Sequence, residues 1–271
     1  MALDSLLTTF EQATDGWLSA SFDAGMALFQ RLAAIEIAVF GIVVALKARS
    51  AGAAAILPEL SWKLFLIGLV LSGILIYPLW LPVLLQGLPG LAGEITGDAT
   101  INPAEVVARG SALSILVLGR AVVSGWLSFS LVPSAIGVIG ALGLFLAFFA
   151  MGAILFKTLI ESWMILAIGP LWLGFAPFRL TAPIADNFLT YSFQVGIKLF
   201  LLVLMNGAVQ GIATSWYHQL SDPQAINFQL VLEVVAGAGL LAVSLWTVPT
   251  RMAEVLTRGL DFGLKRALSE A

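Results

Sequence analysis

What most constrains this chain is the pattern of long apolar runs between which its thirteen basic residues are distributed. Apolar stretches cover about residues 32–46, 64–85, 131–156, 158–178, 188–213 and 230–248. Most of them approach the roughly 20 residues that a helix needs to cross ~30 Å of hydrocarbon. With 60% hydrophobic and only 11% charged residues, 271 residues have too little polar surface to cover a water-soluble globule, and the mean hydropathy is +1.01. The bilayer is therefore the solvent. Inside it every backbone N–H and C=O must bond within the protein, and long runs rich in Leu, Ala and Gly suit helices better than the short alternating strands of a barrel. The expected fold is all-α, a polytopic bundle of about five transmembrane helices.

The basic residues orient that bundle. Five crossings with the N-terminus outside put Lys47, Arg49, Lys63, Lys157, Arg179, Arg251, Arg258, Lys265 and Arg266 in the cytoplasm, nine in all. Three, Arg31, Arg109 and Arg120, then lie outside, and Lys198 lies in the membrane. Six crossings with the N-terminus inside score eight against four, a weaker asymmetry. The link 47–63 holds three cations and one anion, Glu59, whereas 214–228 holds no Lys or Arg and carries Asp222. The first suits cytoplasm and the second periplasm, so the N-terminus is expected periplasmic and the C-terminus cytoplasmic. A cleavable signal is not expected, because residues 1–29 contain no Lys or Arg but carry Asp4, Glu11, Asp15 and Asp23.

Five regions follow. Residues 1–29, with Leu3, Leu6, Leu7, Phe10, Trp17, Leu18 and Phe22 at helical spacing opposite acidic positions, read as a periplasmic amphipathic helix that packs on a partner or on its own bundle. Residues 30–85 hold the first two spans. Residues 86–130 form a central periplasmic region, opening with Gly87, Gly90, Gly93 and Gly97, which favour turns, and continuing with a helix started by Asn102 as cap and Pro103 in its first turn. Residues 131–250 hold the remaining spans. Within them 158–178 is expected to break at Gly169–Pro170 and to re-enter or tilt steeply, the alternative being an ordinary span kinked at Pro170. Residues 251–271 form a cytoplasmic amphipathic tail.

Ionisable and amide side chains within spans are the candidates for function or for pairing: Glu36, Glu161, Lys198 and Glu233, with Asn206 and Gln210 giving the 188–213 helix a polar side. Gly207 and Gly211 form a small-xxx-small pair on that helix. Glu105, Arg109 and Arg120 make one stripe of the central helix, suited to an aqueous passage, a partner or plain solvent. Arg251, Glu254, Arg258, Asp261 and Lys265 alternate in sign at intervals of three and four, a cytoplasmic docking surface or a solvated face. The tryptophans near span ends fit an interfacial belt. No catalytic constellation emerges: there is one histidine, His218, no cysteine, no phosphate-binding loop and no nucleophile elbow. The reading is a non-enzyme without a cofactor, for which a bound phospholipid is the one plausible small molecule.

Two stretches carry a resemblance. Leu28 to Leu46, LFQRLAAIEIAVFGIVVAL, and Gly169 to Gly211, GPLWLGFAPFRLTAPIADNFLTYSFQVGIKLFLLVLMNGAVQG, resemble the TrbL family of conjugative-transfer proteins, the polytopic inner-membrane subunit of VirB-like type IV secretion systems. The similarity spans most of residues 20–250 and lies in diffuse packing patterns. It implies a channel or platform subunit of the bacterial inner membrane, assembled as a ring of copies of itself. That subunit would support pilus biogenesis and the translocation of DNA or protein, together with pilin, a minor pilus-tip subunit, a bitopic inner-membrane subunit and cytoplasmic ATPases. Larger members carry a polar extension after the last span, and its role is not carried over to a sequence that stops at Ala271. The residues alone also allow a small membrane transporter or ion channel with a site near Glu36, Glu161 and Lys198, or a scaffold without a conduit.

Overall fold

A computed structural model describes residues 2–51, 56–97, 102–128, 131–222 and 228–260. Every regular element among them is helical: α1 (Ala2–Ala51), α2 (Ile56–Leu75), α3 (Tyr77–Pro82), a π-helical turn (Val83–Gly87), α4 (Leu88–Thr96), α5 (Pro103–Ser128), α6 (Leu131–Leu173), α7 (Ala182–Ser221) and α8 (Phe228–Thr257). Among the described residues five stretches are long and apolar enough to cross a membrane: Ser5–Leu46, Pro58–Leu75, Gly137–Leu173, Ala182–Ser221 and Gln229–Thr257. The all-α polytopic bundle expected from the apolar runs is the fold observed.

The chain divides into two compact units. One comprises residues 1–7, 88–160 and 197–255. Its interior is apolar, with Val106, Leu113 and Val117 of α5 meeting Leu144, Phe148 and Met151 of α6, Leu202 and Val209 of α7, and Val234, Ala238 and Leu245 of α8. Glycines set how closely these helices approach, since no Cβ stands between the backbones. A Cβ on Gly110 would overlap that of Phe148, and one on Gly152 would lie 2.6 Å from Val107 Cγ2. Lower α5 numbers thus face higher α6 numbers, and the two helices run antiparallel.

The second unit comprises residues 8–87, 161–196 and 256–271. Here α1 lies along the last part of α6. Phe10 and Trp163 rings are 6.0 Å apart, Ser21 donates its hydroxyl proton to the Ala167 carbonyl, and Gly25 packs on the carbonyl of Pro170. Gly174 in turn sits against the Gly25 carbonyl, 2.6 Å from where its Cβ would stand. Residues 10–25 therefore pack on their own bundle.

Three local expectations are corrected. The Gly87, Gly90, Gly93 and Gly97 run is helical through Thr96, and among the described glycines only Gly97 takes a positive φ, at 75°. The apolar residues between these glycines decide the outcome, because burial of Pro89 and Ala92 outweighs a propensity cost of about 1 kcal/mol per glycine. Second, α6 does not break at Gly169–Pro170 but continues to Leu173, and the reversal falls at 174–181. Third, the second apolar run is interrupted at Ile76, two residues before Pro78. The indole N–H of Trp80 caps the Gly73 carbonyl there at 3.1 Å. The expected start of α5 holds: Asn102 Oδ1 accepts the N–H of Ala104 at 2.9 Å and that of Glu105 at 3.4 Å, and Pro103 opens the helix. The last span continues into the first residues of the tail as one helix, α8, which runs through Pro249 to Thr257; residues 261–271 lie outside the described residues.

Candidate functional site

In the second unit two polar centres lie in otherwise apolar surroundings. The first is built on Glu36, whose place in the apolar part of α1 leaves it fully buried. Lys63, on the second turn of α2 and itself 5% exposed, brings its Nζ to 2.6 Å from Glu36 Oε1. The same Nζ stands 4.5 Å above the centre of the Phe40 ring, one turn along α1 from Glu36. Glu36 Oε2 accepts the backbone N–H of Arg179 at 3.4 Å, tying the reversal after α6 to the pair. Oε1 has its counter-charge close by, but the lysine approach falls outside hydrogen-bond alignment, so that oxygen lacks a well-directed donor. A buried charge pair of this kind adds little net stability compared with an apolar pair, yet removing one partner strands the other and is strongly destabilising. The arrangement locks α1, α2 and the 174–181 reversal into one register.

The second centre surrounds Pro170. A proline within a helix has no N–H for the carbonyl four residues earlier, here that of Leu166, and its ring crowds the same turn. Tyr77, 1% exposed, donates its hydroxyl proton to Ile165 O at 2.6 Å and reaches Leu166 O at 3.3 Å. Ser21 serves Ala167 O from the α1 side. These two hydroxyls supply donors to the carbonyls around the proline, which is how α6 passes Pro170 without breaking inside an apolar environment.

In the first unit, the stripe on α5 is partly realised. Arg109 Nη2 donates to Glu105 Oε1 at 2.6 Å, and Arg120 Nη2 donates to the Ser221 carbonyl of α7 at 3.0 Å. Arg109 also borders a groove of about 270 Å³ with Ala112, Leu113, Ala213, Thr214 and Tyr217.

The remaining expected residues scatter. Glu161, Lys198 and Gln210 are half-buried, and Asn206 is buried at 5% exposure. Glu233 is exposed on α8 and accepts an amide proton from Gln229 at 2.9 Å. Arg251 and Glu254 form a loose pair of 3.7 Å, Arg258 is exposed, and Asp261 and Lys265 lie outside the described residues. Of the glycine pair, Gly207 faces Thr96, while Gly211 has open space. Among the described residues no cluster of His, Asp or Glu could hold a metal ion.

Residue reasoning found Glu36 but missed its partner. Lys63 read as a cation of the cytoplasmic link, because it precedes the apolar run beginning at residue 64. The requirement that an intramembrane carboxylate be paired was the signal that pointed to it.

Comparison with known proteins adds two findings. The family described as TrbL/VirB6 plasmid conjugal transfer protein matches residues 33–248. A protein of Sinorhizobium fredii named "Probable conjugal transfer protein TrbL" is 26% identical over 205 residues, which cover 76% of this chain and 51% of that protein. The chain thus spans about half the length of the curated relative it matches.

Proposed function

The chain belongs to the TrbL/VirB6 family of plasmid conjugal transfer proteins, and on that footing we propose that it is a channel or platform subunit of a type IV secretion (conjugation) apparatus. The observation that carries the reading is the family match across residues 33–248, which contains three of the five helical stretches able to cross a membrane, most of the last and the final part of the first. In this reading the protein sits in the bacterial inner membrane, N-terminus periplasmic and C-terminus cytoplasmic, as a ring of identical copies. Its partners are pilin, the minor pilus-tip subunit, the bitopic inner-membrane subunit and the cytoplasmic ATPases, and DNA or protein passes in transit. The work falls to surfaces: exposed apolar side chains such as Ile139, Leu142 and Phe149 on α6, and Leu240, Val243 and Trp246 on α8, offer faces to lipid or to neighbouring copies. The Arg251–Glu254 segment offers a charged one on the cytoplasmic side.

Deleting the gene from a donor strain and measuring plasmid transfer by mating tests this. Transfer is expected to fall below detection, to return when the gene is supplied in trans, and pilin and ATPase subunits are expected to co-purify with the protein. Undiminished transfer together with loss of a small-solute flux would replace the reading with that of a transporter.

A further inference from the structure

α8 supplies a depth scale for the first unit. Its apolar stretch, 230–248, rises about 28 Å at ~1.5 Å per residue, close to the thickness of a bilayer core. Near its Gln229 end, Val231 and Val235 pack against α6. A Cβ on Gly140 would stand 2.9 Å from Val231 Cγ1, and one on Gly143 would stand 3.1 Å from Val235 Cγ1. Gly140 also faces Val117 of α5 at 3.9 Å. From Gly140 to Gly152, α6 descends about 18 Å, and at Gly152 it meets Val107 and the Pro103 carbonyl, the latter at 3.1 Å. Residues 103–117 of α5 therefore run beside α6 through the middle of the bilayer that α8 defines. A separate contact agrees: Gly237, halfway along the apolar stretch of α8, abuts Trp216 at 2.9 Å, and the next residue, Tyr217, lines the groove with Arg109. The outer face of α5 matches that depth, since Ile115 is 67% exposed, like Leu240 of α8 at 70%.

We propose that α5 is embedded in the membrane beside α6, α7 and α8, and that the groove bordered by Arg109, Thr214 and Tyr217, whose walls are otherwise the apolar Ala112, Leu113 and Ala213, is hydrated around the Arg109 guanidinium near bilayer mid-depth. The Glu105–Arg109 pair keeps 39% and 35% of its side chains exposed, and a guanidinium at that depth is tolerated only against protein or water. A volume of about 270 Å³ holds several waters at ~30 Å³ each, with the guanidinium and the Thr214 and Tyr217 hydroxyls as hydrogen-bond partners. Charge content is what hides α5 among the apolar helices: Glu105, Arg109 and Arg120 give it the look of an extramembrane segment.

The chain contains no cysteine, so single-cysteine variants of the full-length protein in native membrane fragments report position directly. Each is treated with a small charged methanethiosulfonate and with a polyethylene-glycol maleimide too bulky to enter a pocket. Asp222→Cys, beyond the end of α7, serves as the aqueous reference and is expected to react with both. Ile115→Cys is expected to react with neither, as is Leu240→Cys. Thr214→Cys, which leaves the ion pair untouched, and Arg109→Cys are expected to react with the small reagent and to lose all labelling by the bulky one. Labelling of Ile115→Cys or Leu240→Cys by the bulky reagent at the Asp222→Cys rate puts the helices in water and overturns the embedding. Inertness of Thr214→Cys to both reagents makes the pocket dry and overturns its hydration, whether or not Arg109→Cys accumulates.

Discussion

The two units hold their helices together with a different balance of apolar and polar contacts. In residues 88–160 and 197–255 the interior is a run of Leu, Val, Phe and Met side chains whose fit depends on glycines at the crossings. In residues 8–87 and 161–196 close glycine packing is joined by buried polar contacts: the Glu36–Lys63 pair, and the Tyr77 and Ser21 hydroxyls on the carbonyls around Pro170. The difference follows from the solvent. Lipid does not drive apolar faces together as water does, so association rests on close packing or on polar groups that hydrocarbon cannot satisfy. Dispersive contacts tolerate small displacements, whereas a buried charge has one acceptable partner. The polar unit should therefore be brittle to single changes and forgiving of paired ones, and the apolar unit should respond to volume.

The largest effect is expected at the ion pair. Lys63→Leu leaves the Glu36 carboxylate buried beside an apolar side chain and should destabilise the protein by about 3–5 kcal/mol. The Glu36→Leu/Lys63→Leu double variant removes both charges and should recover most of the loss. Unfolding in detergent, followed by circular dichroism for the two single variants and the double, reads this directly. A double variant as unstable as the worse single one would mean that the pair is no isolated unit and that the contrast between the two interiors fails.

The volume-sensitive counterpart is Gly110→Ala. The added methyl would overlap Phe148 Cβ, which is attached to the backbone and cannot swing aside. α5 and α6 must separate, at about 1–3 kcal/mol. Unlike the charge pair, this loss should not be recovered in the double variant Gly110→Ala/Phe148→Ala, because alanine keeps the Cβ that the added methyl meets and leaves a cavity where the ring was. The same unfolding measurement tests it, and a neutral Gly110→Ala would show that this crossing is looser than its geometry.

At Pro170 the comparison can be sharpened by a cycle. Tyr77→Phe removes the hydroxyl from Ile165 O and Leu166 O and should cost about 1.5 kcal/mol, the scale of a buried acceptor losing its donor. In a Pro170→Ala background the restored N–H can bond Leu166 O within the helix, so the same Tyr77→Phe change should cost less. Equal costs in the two backgrounds would separate the tyrosine from the proline.

The sequence reveals these features unequally, for physical reasons. Bilayer thickness sets a length that any crossing helix must meet, so the five spans show as apolar runs. The cap at Asn102–Pro103 is equally plain, because its chemistry is complete within four residues. The Glu36–Lys63 pair joins positions 27 apart on different helices, and nothing local distinguishes a lysine in a link from one turned inward. Pro170 and the glycine run were misplaced because propensity is a local quantity. Donors from Tyr77 and Ser21, and burial around Ala92, override it from elsewhere in the chain. The α5 stripe shows a third pattern: Glu105 and Arg109 at i and i+4 are readable as a pair, while the depth of that pair depends on which helices α5 packs against.

The smallest effect should appear at that cap, where the apolar unit depends on a directional contact. Asn102 Oδ1 accepts two N–H groups at the start of α5, two of the four donors that a helix leaves unpaired in its first turn. Asn102→Ala removes that acceptor and should lower stability by about 1 kcal/mol, whereas Asn102→Ser keeps a short oxygen acceptor in place without adding a charge and should be close to neutral. Two-state unfolding of the three proteins separates these outcomes. The position of the cap sharpens the test: Gly152 of α6 packs against the Pro103 carbonyl next to it. If the start of α5 lies within the membrane, water cannot replace the lost acceptor, and the alanine variant should keep the full loss of about 1 kcal/mol. A loss of only a few tenths would mean that water reaches those N–H groups freely, and would weigh against the start of α5 being embedded.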